Sequence, residues 1–239
     1  MDFVQAIFLA AAFVAAGLIQ GALGFGLSAM ALALLGIMPC TGAADAAFAS
    51  MIVANGWQLF DGPRLTKLLR RFGALGAGIV LGGFALPHAV RRGPDLSLAV
   101  GCTILLLAFS GLVFGRQRLS DRQEIWASPV VGLCTGALAG TGMIAVPVIP
   151  YLHALELDRE ELVQALGFSV LMSILAMRSD WTVPAGIAPD ALRAIWLVVP
   201  AMAGLYLGQA VRRELDARAF ERWSGSGIIF LGSSLLASA

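Results

Sequence analysis

The chain has 239 residues, 59% of them hydrophobic and only 13% charged, with a formal net charge of +1 and a mean hydropathy of +0.84. Soluble domains carry about 25% charged residues, so this composition excludes an ordinary water-soluble domain, and the near-zero net charge excludes a nucleic-acid partner. Cys40, Cys102 and Cys134 lie in or beside apolar runs with no Cys-x-x-Cys or Cys/His cluster, which argues against a disulfide framework, a metal site or a cofactor. The start Met1-Asp2-Phe3 has no basic segment before its apolar run, so no cleavable signal peptide is expected.

Residues 3–38 are almost continuously apolar. One straight helix of that length would be about 54 Å long against a hydrocarbon core of about 30 Å. The stretch must bend or turn back, and the cluster Gly21-Ala-Leu-Gly24-Phe25-Gly26 is the place to do so. The next span, 43–60, is spotted with Asp45, Ser50, Asn55 and Gln58. A polar link carrying Arg64, Lys67, Arg70 and Arg71 leads to span 72–90, which contains Gly78-x3-Gly82. After Arg91, Arg92 and the turn at Pro94-Asp95, span 96–115 follows, and Arg116 to Glu124 form a charged linker. The second glycine-broken stretch is 126–153. Asp158, Glu160 and Glu161 suit the positive end of a helix covering 162–177. A polar loop (178–190), a span with Gly204-x3-Gly208 (191–211), a loop with Arg212, Arg213, Arg218 and Arg222, and a final span (223–239) complete the chain.

The two halves have one layout. Gly17-Leu-Ile-Gln-Gly21-Ala-Leu is echoed by Gly132-Leu-Cys-Thr-Gly136-Ala-Leu, and each reaches a Gly-x-Gly, Gly24/Gly26 and Gly140/Gly142. A polar-spotted span, a Gly-x3-Gly span, a basic loop and a last span follow in each half, with Ser50 corresponding to Ser169. The expected fold is an all-α polytopic membrane protein of two inverted repeats, each a Gly-broken helical hairpin plus three transmembrane helices. It forms a single membrane domain, 1–239, with repeats at 1–118 and 124–239.

Cytoplasmic loops are enriched in Lys and Arg, so the 16 basic residues test the topology. If every apolar stretch crosses once, the two sides receive nine and seven. If 126–153 returns to the side it entered, the division is twelve against four, and Arg159 joins the Arg116–Arg122 side. A hairpin at 126–153 is therefore expected, extended to 3–38 through the duplication. The expected location is the cell inner (plasma) membrane, multi-pass, with both termini outside.

In hydrocarbon every backbone polar group needs a protein partner or a water-lined cavity, so paired glycine breaks in matching halves point to a transporter's solute site. The other reading of Gly-x3-Gly is close helix packing. On the first reading, freed N–H groups at Gly24, Gly26, Gly140 and Gly142 favour a negative solute, with Ser28 and Thr141 adding hydroxyls. Gln20 and Thr135 stand at equivalent positions, one residue before Gly21 and Gly136. Ser50 with Asn55, and Ser169 with Ser173, each lie roughly on one helix face and are candidates to line a polar path. The serines are equally explained by bonds to their own helix, whereas an amide such as Asn55 has more bonds to satisfy. Asp45 is either a proton carrier within the membrane boundary or a helix cap. His88 and His153 are read as solvated helix-end residues. No GxSxG elbow, HExxH or P-loop occurs, which argues against an enzyme or an ATP-driven pump.

These motifs resemble the TauE/SafE sulfite exporter (toluene-sulfonate uptake permease) family. Gly136 to Pro147, with Gly140, Gly142 and Pro147, matches its Gly-rich signature, although Thr141 and Met143 interrupt the glycine run. The first copy keeps Gly21, Gly24 and Gly26 but has Ala31 in place of the proline. Ala47-Phe48-Ala49-Ser50 and Gly167-Phe168-Ser169 resemble its Ala-Thr-Ser stretch without the Thr. The resemblance implies a secondary transporter of sulfite, organosulfonates or related small anions, with proton coupling as one option. The expected partners are the anion, the lipid bilayer and a second copy of the chain. The alternatives are an anion channel using the same breaks and a non-transporting membrane subunit.

Overall fold

The computed structural model describes residues 3–27, 43–62, 65–85, 121–139, 147–155, 157–177, 191–216, 219–220, 222–223 and 225–226. Every regular element among them is helical: α1 (Phe3–Leu23), α2 (Ala43–Asp61), α3 (Leu65–Ala85), α4 (Asp121–Ala139), α5 (Val148–Ala154), α6 (Arg159–Met177) and α7 (Ala191–Glu214). The expected span 96–115, the loop 178–190 and most of the span 223–239 lie outside the described residues. By length and composition, Gln5–Leu23 and Arg159–Met177 are apolar enough to cross a membrane. The other long helices carry polar or ionisable side chains, such as Asp61, Arg71, Glu124 and Arg212, within their bounds. Phe60, Leu81, Phe84, Trp126, Val199 and Trp223 are each more than half exposed. Large apolar side chains pointing outward around the bundle suit a hydrocarbon surround.

Two seams of small residues organise the packing. In the first, α1 lies parallel to α7. A Cβ on Gly17 would meet the carbonyl of Ala201, one on Gly21 that of Leu205, one on Gly204 that of Val14, and one on Gly208 that of Leu18. In the second, α4 lies parallel to α3. A Cβ on Gly132 would meet the carbonyl of Leu75, one on Gly136 that of Ile79, one on Gly78 that of Pro129, and one on Gly82 that of Leu133. The seams match position for position, and in both the missing side chain lets two backbones touch. For these eight glycines the packing reading holds.

Helix α2 contacts both α6 and α7, while α3 contacts both α4 and α6. The C-terminal end of α2 meets the N-terminal part of α6. Gln164 Nε2 donates to the Leu59 carbonyl at 2.8 Å, and Gly167 faces the Asn55 carbonyl, so the two helices run antiparallel. Helix α3 runs parallel to α6, with Gly76 against Phe168 and Gly83 against Ala176. The chain also turns back after α4, because the Ser128 and Tyr151 hydroxyls are 2.6 Å apart. That contact brings α5 beside the early part of α4.

Ion pairs gather at one end of the bundle. Arg71 Nε and Nη2 donate to the two Glu124 carboxylate oxygens at 2.6 and 2.7 Å. Lys67 lies 3.4 Å from Glu161, and Arg212 3.0 Å from Glu160. The Glu124 hydrogen bond and charge raise the Arg71 pKa above its ordinary value against the effect of burial. These pairs draw together the starts of α3, α4 and α6 and the end of α7.

Two expectations need correction. Lys67, Arg70 and Arg71 are not in a link, because α3 begins at Leu65 and carries them in its first two turns. Lys and Arg are good helix formers, and nothing in that segment opposes a helix. Arg212 and Arg213 are likewise not in a loop, since α7 runs to Glu214. Cations in the last turn complement the negative end of the helix.

Candidate functional site

The end of α1 carries a buried cluster of amides. The helix stops at Leu23 and passes through Gly24 (φ 85°) and Gly26 (φ 130°). Those backbone angles are open to glycine and strained for other L-residues. Gly24 N still donates to the Gln20 carbonyl at 2.8 Å, as the last helical bond. Past that point the chain leaves the ladder, and the Gln20 side chain substitutes for it. Its Nε2 donates to the Gly24 carbonyl at 3.1 Å, and its Oε1 accepts from Leu27 N at 3.1 Å.

The same Nε2 reaches α2, lying 2.9 Å from Asn55 Oδ1 and 2.8 Å from Gln58 Oε1. Gln58 Nε2 donates back to the Gln20 carbonyl at 2.9 Å, and Asn55 Nδ2 to the Met51 carbonyl at 2.8 Å. All three side chains are buried. A primary amide has two hydrogens, yet three oxygens converge on the Gln20 nitrogen, so among the described residues these acceptors compete for the two. An unsatisfied buried polar group costs about 1–3 kcal/mol. The cluster carries no formal charge and its acceptors compete for donors, so its internal hydrogen bonds can be exchanged for bonds to a polar solute.

Beyond the cluster, Phe25 sits edge-on to His153 of α5, with ring centroids 6.4 Å apart. The first break therefore touches the returning arm of the second glycine stretch. His153 is part-buried, and its Nδ1 is 3.0 Å from the Ile149 carbonyl. It lies in the last turn of α5, with this hydrogen bond to its own helix.

The other sequence candidates divide. Thr135 Oγ1 donates to the Val131 carbonyl at 2.7 Å. Ser169 and Ser173 donate to the carbonyls of Ala165 and Ser169, both at 2.8 Å. Their hydroxyl hydrogens are spent on their own helices. Ser50 is fully buried, and its hydroxyl has no partner among the described residues. Asp45 lies in the first turn of α2. Ser28, Gly140, Thr141 and Gly142 lie outside the described residues.

Five of the described buried polar residues are not among the selected site residues: Gln58, Ser128, Gln164, Gln209 and Arg212. Gln58 was noted on its span, but its reach to Gln20 depends on how α1 and α2 pack. Gln164, Gln209 and Arg212 are all buried, and each has a side-chain atom with no hydrogen-bond partner among the described residues. Gln164 and the cations Lys67 and Arg71 help line a small cleft at the charged end, of about 10 Å³. The available signal was polarity at helical spacing: Gln209 and Arg212 are three apart, just after Gly208. Among the described residues no group of His, Cys, Asp and Glu is arranged to hold a metal ion.

A family model described as Sulfite exporter TauE/SafE matches residues 9–235. No curated protein and no solved structure matches the chain.

Proposed function

The chain belongs to the TauE/SafE sulfite exporter family, a family of membrane transporters of sulfur-containing anions, and from that premise we propose a secondary carrier for a small sulfur oxyanion such as sulfite or an organosulfonate. The observation that carries the reading is the family match over nearly the whole chain. The amide cluster at the α1 break supports a site there, since unwound backbone near paired polar side chains is where transporters of this build meet their solute. Neutral amides hold a singly charged or weakly bound anion better than a dianion, because they offer hydrogen bonds without a compensating full charge.

The repeat reading deepens this proposal. Two seams with matching contacts, and an antiparallel α2–α6 pair bearing the corresponding Ser50 and Ser169, are what inverted repeats about an axis in the membrane plane require. In that arrangement the charged end faces the cytoplasm, following the distribution of Lys and Arg, and both termini are outside. Asp45 is the proposed proton carrier.

The test is uptake by proteoliposomes of labelled sulfite, sulfate, sulfoacetate, taurine and acetate, with and without an imposed proton gradient. Saturable uptake of a sulfur oxyanion is expected, faster when the proton gradient drives it. Absence of flux for every anion under both conditions would overturn the proposal.

A further inference from the structure

Three buried nitrogen donors on α7 have no acceptor among the described residues: Gln209 Nε2, and Arg212 Nε and Nη1. Gln209 is 5% exposed and Arg212 4%. Residues three apart share a helix face, so the donors form a short row at the end of α7. The backbone of Gln209 packs against Gly21 of α1, next to Gln20, so the row begins near the amide cluster and runs toward the charged end.

Arg212 has one bond, from Nη2 to Glu160 Oε2 at 3.0 Å. Asp61, Arg159 and Arg213 are the other charged groups that act on it. Arg159 is already engaged. Its Nη1 donates to the carbonyls of Arg212 at 2.7 Å and Leu215 at 2.9 Å, and its guanidinium lies over the Phe220 ring. Lys67 and Arg71 are each paired to a glutamate. Arg212 is thus a deeply buried cation with spare donors, and its one side-chain acceptor among the described residues, Glu160, has a side chain 50% exposed. A half-exposed carboxylate can swing into water cheaply, whereas the guanidinium cannot leave without disturbing the packing. A guanidinium and an amide N–H have no acceptor capacity to spare and match a small anion whose oxygens each accept several bonds.

We propose that Gln209 and Arg212 form a binding site for a small oxyanion at the charged end of the bundle, with Glu160 as the internal carboxylate that the anion displaces. The identity of the anion as a sulfur oxyanion rests on the carrier reading above; the donor row itself does not.

The test is calorimetric titration of the purified full-length protein in detergent with methanesulfonate and with sulfite kept under argon, using acetate for comparison. E160Q removes the internal competitor and is expected to tighten binding severalfold. Q209L is expected to weaken it by a smaller factor, and R212Q by about tenfold or more, as losing hydrogen bonds from a charged group does. No binding of either sulfur probe by the wild type, or wild-type affinity in both E160Q and Q209L, overturns the site, whether or not R212Q folds. Proteoliposome uptake run beside it separates the two claims. Altered affinities without flux keep the site and sink the carrier, whereas flux with unchanged affinities sinks the site alone.

Discussion

Helix α1 shows two uses of small and polar residues on one element. Gly17 and Gly21 press against α7 so closely that backbone meets backbone, with no polar side chain taking part. One residue away, Gln20 points elsewhere and spends its amide on the broken end of the helix and on α2. The first region is filled to contact and cannot change without moving a helix. The second holds its parts by exchangeable hydrogen bonds whose acceptors compete for donors. A carrier needs both: a rigid seam about which parts are positioned, and a polar place where protein bonds can be traded for solute bonds.

The seams should break most severely. Gly21→Ala and Gly136→Ala each place a methyl against a carbonyl of the facing helix, Leu205 or Ile79. Overpacking usually costs about 1–3 kcal/mol, and backbone cannot rotate aside as a side chain can, so the upper part of that range or beyond is expected. The thermal midpoint of purified protein, followed by size-exclusion chromatography after heating, should fall by similar amounts in the two variants. A large loss in one alone would break the equivalence of the seams.

Gly24→Ala should come next. Its φ of 85° strains an alanine by about 1–2 kcal/mol, and the new methyl would lie 2.9 Å from Val163 Cγ2. The same heating assay should show a smaller loss than Gly136→Ala. Smallest is Gly73→Ala, where nothing lies within 4 Å of the added Cβ in the interior of α3. Helix propensity alone predicts a gain of about 0.5–1 kcal/mol. A loss there would mean that the glycines of this bundle are not sorted by contact.

Much of this difference was legible in the sequence. The matched Gly-Leu-x-x-Gly-Ala-Leu segments and the two Gly-x3-Gly spans announced the seams, and the Gly24-Phe25-Gly26 break falls within the glycine cluster of an apolar stretch too long for one helix. Gln20 stood out by its position one residue before Gly21, and Asn55 because an amide has several bonds to satisfy. Their meeting was not legible, since spacing along one helix says nothing of which face the next helix covers. Gln58 was therefore noted on its span without being chosen as a site residue, and of the two readings of Ser169 and Ser173 the hydrogen bonds to their own helix are the ones seen. Arg212 was assigned to a loop because charge was taken as the end of a span. Its partner Glu160 comes from a distant part of the chain, which the sequence alone does not reveal.

The most direct test of the central claim is the initial rate of labelled sulfite uptake by proteoliposomes holding wild type or Asn55→Thr. Threonine is close to asparagine in size, and its hydroxyl can bond the Met51 carbonyl as the Asn55 amide does. The substitution also leaves Gln20 Nε2 with two acceptors for its two hydrogens, so the thermal midpoint should hold or rise. The account predicts a folded, stable protein whose sulfite uptake falls by about tenfold, the size of one lost hydrogen bond to a charged solute. Wild-type uptake kinetics in that stable variant would contradict it and remove the α1 break from the solute's path.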